Sequence, residues 1–182
     1  MNIIKLQGGL GNQMFQYAFA RGLVEKTGDD ILFDLSSFDH TTPGTTKRTF
    51  ALDAFQLDVS PAPDRDISVF TKEKRHPHIS ALKRALGISV PYFIHERDLS
   101  FHPEVQSIRG DAYFDGYWQS EKHFLHIEQL IRNAFTPRHP MSPRAQRIAD
   151  NIDRESISLH VRRGDYVTNK KAAGALGACD PR

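Results

Sequence analysis

The chain has 182 residues, 39% of them hydrophobic and 25% charged, with a formal net charge of +2. That is enough apolar material for one domain and the start of another; it excludes a disordered chain, and the small net charge carries no signal for nucleic acid or another polyanion. The single cysteine, Cys179, excludes an internal disulfide framework and fits a reducing compartment.

The first forty residues read as a β-α-β unit. "NIIKL" is a short strand that runs no longer than its few apolar residues, too short for a secretory signal or for the ~18 apolar residues of a membrane helix. "QGGLG" is a turn, and residues 12–26 form a helix with Asn12 as N-cap. Phe15, Ala18, Phe19, Gly22 and Leu23 follow the spacing of one buried helical face. Gly28 ends that helix, and "DDILFDLS" supplies a second strand. Strands joined through such a helix run parallel in one sheet.

Residues 38–66 are loop-like around "FALDAFQLDV". Residues 71–87 are helical, with Ile79, Leu82 and Leu86 at helical spacing and with Lys72, Lys74, Arg75, Lys83 and Arg84 among them. This basic run reads as a solvated helix face, with contact to anionic lipid as the alternative. "PYFIHE" and "DAYFDGYW" read as strands, and residues 120–135 as a helix with Phe124, Ile127, Ile131 and Phe135 on one face. His123 and His126 have helical metal-ligand spacing but no third ligand, and read as helix-surface residues. "TPRHPMSP" holds three of the ten prolines and marks a linker. A helix with Ser142 at N-cap and Pro143 at N1 follows, and then the strand "SISLHV".

Two stretches carry chemistry. Gly8, Gly9 and Gly11 sit between a strand and a helix, where backbone N–H groups can approach a ligand at the helix N-terminus. The third glycine of a dinucleotide fingerprint is replaced by Met14, so no dinucleotide site is assigned. Asn12 and Gln13 place two amides there, suited to a neutral polyhydroxylated ligand; a tight connection without any ligand is the competing reading. In "HVRRGDY", His160 and Arg162 share one face of a strand, Arg163 turns back at its end, and Asp165 and Tyr166 open the next connection. Paired guanidiniums at a strand's carboxyl end suit a pyrophosphate, with Asp165 holding one of them. A solvated turn with an ordinary ion pair is the competing reading.

"GGLGNQMFQYAFA", "FDGYWQSEKHF" and "HVRRGDYV", in that order, resemble the family 11 glycosyltransferases, the α-1,2-fucosyltransferases. The resemblance implies an α/β, GT-B-like fold: an N-terminal Rossmann-like, acceptor-side domain over residues 1–141, then, over residues 142–182, a connecting helix and the first strand of an incomplete second Rossmann-like, donor-binding domain. It implies transfer of L-fucose from GDP-β-L-fucose to the 2-hydroxyl of a terminal galactose with inversion, without a metal or other cofactor. His160 and Arg162 are then the catalytic candidates, and Arg162, Arg163, Asp165 and Tyr166 bind the donor. Gly8, Gly9, Gly11, Asn12 and Gln13 form a substrate-binding turn. Asp115 and Glu121 are weaker candidates for the base and read as structural.

Family members continue past the arginine motif, whereas "AAGALGACDPR" offers no further element. The expectation is therefore a fragment with little or no activity of its own, in a cytoplasmic setting of the bacterial type, with peripheral contact to the cytoplasmic face of the membrane as an option. The partners implied are GDP-fucose and a galactose-terminated glycan, and no nucleic acid. The rival reading is a non-catalytic α/β module that binds a glycan or a nucleoside diphosphate.

Overall fold

In the computed structural model, residues 1–39, 46–75 and 77–159 are described. One compact unit comprises residues 1–40 and 48–138 and contains a four-stranded, wholly parallel sheet. Its strands are β1 (Asn2–Lys5), β2 (Ile31–Asp34), β3 (Tyr92–His95) and β4 (Ala112–Asp115), in the spatial order β2-β1-β4-β3. Parallel sheets are stable when both faces are covered, which is why β1 and β4 read as continuous apolar runs without alternation. Ile3 and Ile4, on opposite faces of β1, are both fully buried.

Helix α1 (Leu10–Thr27) covers one face. There Tyr17, Phe19 and Leu23 pack with Ile4, Phe33, Phe114 and Trp118. Helix α2 (Asp64–Arg75) covers the other face, where Phe70 meets Ile3, Tyr113 and Phe93. The glycine stop holds: Gly28 is left-handed at φ 72°, and its N–H bonds to the Val24 carbonyl. The helix start differs from expectation. Gly9, in extended conformation, is the N-cap, and Asn12 lies inside the first turn. The Gln13 N–H already bonds to the Gly9 carbonyl at 3.1 Å, so the turn closes earlier than Asn12 would have closed it. Phe15 is only half-buried, whereas Gln13 and Gln16 are fully buried.

The expected helix over 120–135 is broken. Two 3₁₀ turns (Glu121–His123 and Leu125–Ile127) precede α4 (Glu128–Ala134). The break follows from packing. The His123 carbonyl accepts from Gln106 Nε2 at 2.6 Å and lies against Gly22 of α1, so it serves tertiary contacts and not a helical ladder. His123 is correspondingly a core residue and not a surface one, ringed by Phe19, Phe101 and Trp118.

The segment after β2 carries helices α2 and α3 (Pro77–Ala85) before the chain enters β3. The helical spacing in α3 is real, but Ile79, Leu82 and Leu86 are exposed. Ser80 is buried instead, and the Arg84 guanidinium lies over the Tyr92 ring at 4.3 Å and donates to the Pro91 carbonyl.

A second unit holds residues 41–47 and 139–182. Its helix α5 (Pro143–Ala149) starts as the sequence indicates, with Ser142 Oγ accepting from the Ala145 N–H at 3.2 Å. Residues 156–159 form no strand among the described residues; Ile157 and Leu159 are 95% and 87% exposed. A strand needs a hydrogen-bonded neighbour, and the described residues supply none there. The rest of that expected strand lies outside them. Among the described residues, no helix is long and apolar enough to cross a membrane.

Two predictions follow from this core. A methyl group on Gly22 would stand 2.4 Å from the His123 carbonyl oxygen. Gly22→Ala gains about 1 kcal/mol in helix propensity and is nonetheless expected to lose about 1–3 kcal/mol net in urea unfolding, through overpacking. Burial, reinforced by the nearby positive charge of Lys26 and by His102, holds the His123 imidazole down to about 4. The unfolded chain therefore takes up this proton near the ordinary histidine value while the folded chain does not. Stability from this group is complete above that value and is lost as pH falls from about 6.5 towards 4, on the order of 3 kcal/mol. His123→Phe, unfolded by urea across that range, is expected to show a correspondingly shallower pH slope.

Candidate active site

In parallel α/β sheets, ligands gather at the carboxyl ends of strands, where helix N-termini and loops converge. Four side chains stand there on the α2 face, one from each strand. Lys5 is in register with Asp34, and His95 with Asp115. Across the sheet they read Asp34, Lys5, Asp115, His95. Lys5 Nζ lies 3.2 Å from Asp115 Oδ1, and His95 Nδ1 lies 3.4 Å from Asp115 Oδ2. Asp34 accepts from the Tyr113 hydroxyl and, at 2.8 Å, from the Ser36 N–H. Burial and that carboxylate together push the Tyr113 phenol well above its usual range, so it stays a neutral donor. Each carboxylate of the ladder thus has partners within the protein, Asp34 through neutral donors and Asp115 through Lys5 and the His95 ring. Asp115 is buried between the Lys5 ammonium and the His95 ring, which supports its reading as structural. Glu121 is exposed at the start of a 3₁₀ turn.

The glycine turn lies at the end of β1. Gly8 is left-handed at φ 80°, and a side chain there would stand 2.4 Å from Asn12 Nδ2. Gly9 passes beside the Arg48 guanidinium, and around Gly11 there is open space. Asn12 Oδ1 accepts from Gln119 Nε2 at 2.7 Å, which joins the turn to the segment leaving β4.

Gln13, expected to meet substrate, is fully buried. Its Nε2 donates to the carbonyls of Gly8 (3.0 Å) and Thr49 (2.9 Å), and its Oε1 accepts from the Ala51 N–H at 2.9 Å. Both amide protons and the carbonyl are occupied by backbone, so its direct role is to shape the turn. Gln16, one helical turn on, does the same between two strands. Its Oε1 accepts from the Gln7 N–H at 3.0 Å, and its Nε2 donates to the Gly116 carbonyl at 2.9 Å.

The "DGYW" segment leaves β4 under tight control. Glu96, just past β3, accepts from the N–H groups of Tyr117 (2.6 Å) and Trp118 (2.9 Å). Gly116 has to be glycine: a methyl group there would stand 2.5 Å from Glu96 Cβ and 2.9 Å from the Trp118 ring. Trp118 adopts a left-handed φ of 54°, unusual for a bulky side chain, and stacks on Phe19 at 4.5 Å. Its burial against Phe19 and Phe114 offsets that strain, while Tyr117 is left displayed at the edge. Beside this segment, a cavity of about 350 Å³ is lined by Trp118, Ile94, Val105 and Ile108, with His95, Arg97, His102 and Glu104 also on its wall.

Of the residues singled out from the sequence, Gly8, Gly9, Gly11, Asn12 and Gln13 thus meet at one turn. His160, Arg162, Arg163, Asp165 and Tyr166 lie outside the described residues. Sequence reasoning missed Gln16, Glu96, Gln119 and, in the ladder, Asp34, Lys5 and His95. Gln16 was detectable as a second amide on an apolar helix face, three residues after Gln13; Glu96 had no local signal, because its partners are 21 and 22 residues away. Among the described residues, no three His, Cys, Asp or Glu side chains gather in a metal-binding group.

Comparison with known proteins bears on the same region. A family model described as Glycosyl transferase family 11 matches residues 94–182, from β3 onward. The chain is 30% identical over 185 residues to an Escherichia coli protein named Alpha-1,2-colitosyltransferase, covering 99% of this chain and 60% of that protein. It is 27% identical over 192 residues to the Escherichia coli O-antigen biosynthesis glycosyltransferase WbnK, covering 92% of this chain and 60% of that protein. The chain therefore spans 60% of the length of these two relatives. No solved structure gives a significant match.

The buried amide on α1 yields a direct test. Gln16→Leu keeps the side chain's size but leaves the Gln7 N–H and the Gly116 carbonyl without their partner. The expected loss is about 2–5 kcal/mol in urea unfolding, accompanied by faster amide exchange at residues 116–118, which a mere loss of core packing at α1 would not single out.

Proposed function

We propose that the chain is part of a family 11 glycosyltransferase, the family whose model matches residues 94–182, and that it serves the transfer of L-fucose from GDP-β-L-fucose to the 2-hydroxyl of a terminal galactose. The observation that carries the reading is the family match itself, which takes in both the "FDGYW" segment at the sheet's carboxyl edge and the "HVRRGDY" motif. The α-1,2 linkage is supported by the name of the relative that is 30% identical.

In this reading the parallel-sheet unit is the acceptor-side half of a GT-B-like enzyme, and the arginine motif begins the donor half. The acceptor oxygen attacks the anomeric carbon from the side opposite GDP, its proton passes to a base, and the bond to the diphosphate breaks with its electron pair. Inversion follows from that geometry. Arg162 and Arg163 would neutralise the charge growing on the departing diphosphate, a task that a divalent cation performs elsewhere, so the reaction is proposed to be metal-independent. His160 is the candidate for the base or for its orientation. The open backbone at Gly9 and Gly11 and the Asn12–Gln119 pair offer neutral donors and acceptors to a sugar.

A colitosyl donor is the second reading, favoured by the name of the same relative. The purified chain is to be incubated over a long period with GDP-β-L-fucose, or with a colitosyl nucleotide donor, and a galactose-terminated disaccharide in EDTA. At the low level expected of a chain that spans 60% of its relatives' length, fucose in an α-1,2 linkage, read by NMR and formed equally with and without EDTA, is the expected product. Preferential colitosyl transfer moves the assignment to the second reading, and disaccharide binding with neither donor consumed points to a glycan-binding module.

A further inference from the structure

The cavity beside the "DGYW" segment has the size and lining of a ligand site. It lies wholly in the parallel-sheet unit, at the carboxyl end of the edge strand β3, and measures about 350 Å³. Small-molecule sites begin near ~300 Å³ and are mostly apolar, with a few placed polar groups. The floor here is apolar: Val105 and Trp118 are buried, and Ile94 and Ile108 beside them are half-buried. Trp118 also ties the cavity to the glycine turn, because the next residue, Gln119, donates to Asn12.

The polar wall is held in place by its own contacts. His102 bridges two carboxylates, with Nε2 3.2 Å from Asp98 and Nδ1 3.3 Å from Glu104. That pins the loop between β3 and the 3₁₀ turn Pro103–Ser107. Both oxygens of Glu96 are taken by the Tyr117 and Trp118 N–H groups. Three wall residues keep free capacity. His95 turns Nδ1 to Asp115 at 3.4 Å and so leaves Nε2. Glu104 uses only Oε1 on His102. Arg97 is exposed and has no hydrogen-bond or ion-pair partner among the described residues.

These groups define the guest. One free guanidinium and one free carboxylate oxygen select neither an anion nor a cation, and a purely apolar guest would leave them unpaired. The matching ligand is neutral, carries several hydroxyls and has one apolar face. A pyranose has all three, and in galactose the axial 4-hydroxyl leaves the opposite face to C–H groups.

We propose that this cavity seats the terminal galactose of the acceptor glycan, its C–H face on the apolar floor and its hydroxyls toward Arg97, Glu104 and His95. The assignment deepens the transfer reading and rests on it for the identity of the sugar.

Trp118 is the single tryptophan of the chain, so its fluorescence reads the cavity directly. The test titrates the purified 182-residue chain with lactose, without any donor, and follows tryptophan emission and saturation-transfer NMR of the sugar. A saturable emission change at about millimolar lactose is expected. Sucrose, which contains no galactose, is expected to give none. Ile108→Phe fills the half-buried side of the cavity and is expected to weaken lactose binding about tenfold or more. Arg97→Ala alters an exposed, unpartnered side chain. It is expected to keep the urea unfolding midpoint and to lower affinity about threefold to tenfold, and it decides the question if Ile108→Phe does not fold. Lactose binding that leaves Trp118 emission unchanged, or that survives in the folded variants, overturns the proposal and leaves the transfer reading standing. Absence of lactose binding also overturns it. Binding that the variants weaken, in a chain that transfers neither sugar, upholds the cavity and counts against the transfer reading alone.

Discussion

The architecture of the carboxyl edge depends on two buried amides of α1. A primary amide taken out of water must have its donors and acceptor satisfied or it costs several kcal/mol. Gln13 and Gln16 meet that requirement with the backbone of three separate segments: the exit of β1 at Gln7 and Gly8, the 49–51 stretch and the exit of β4 at Gly116. The constraint works in both directions. The helix can be buried because the loops supply partners, and the loops hold irregular shapes because the helix supplies theirs. Being neutral, these bonds impose no ionic desolvation and do not vary with pH in the physiological range.

The aromatic core transmits that order to the surface. Phe19 stacks on Trp118, whose left-handed backbone is held by Glu96 through two N–H groups. Strain of this kind persists only where surrounding contacts over-determine it, and it concentrates at functional sites. The result is an edge at which Tyr117 and the Asn12–Gln119 pair stand in fixed places beside the polar ladder. That edge presents neutral donors and acceptors, while the Lys5 ammonium already has Asp115 as its partner.

The outward stripe of α3 shows the same physics in reverse. Helical periodicity states only that apolar residues share a side; which side faces the protein is decided by competing contacts. Here Arg84 finds an aromatic ring and a carbonyl, and Ser80 finds a buried place, so the leucines face out. The broken helix before α4 has a similar origin. Local propensity favours one continuous helix, but the His123 carbonyl is claimed by Gln106, and the close approach to Gly22 holds it there.

Much was legible without the fold. Strand β1, the glycine stop of α1, strands β2 to β4, the Ser142 cap and the family resemblance all rest on local pattern or motif, and local pattern is what a sequence carries directly. The Gly8–Gln13 turn was legible as a place, because only a strand-to-helix connection holds glycines in that order. Its roles were not: Gln13 reads as a ligand-facing amide until the backbone of Thr49 and Ala51 arrives beside it. The ladder of Asp34, Lys5, Asp115 and His95 likewise joins residues that no spacing rule connects, since parallel pairing sets its register across more than a hundred positions. The sequence by itself determined most of the elements and the family resemblance. Tertiary structure alone decided which polar groups are buried, which are displayed and which way α3 faces, because each of those depends on partners distant in the chain.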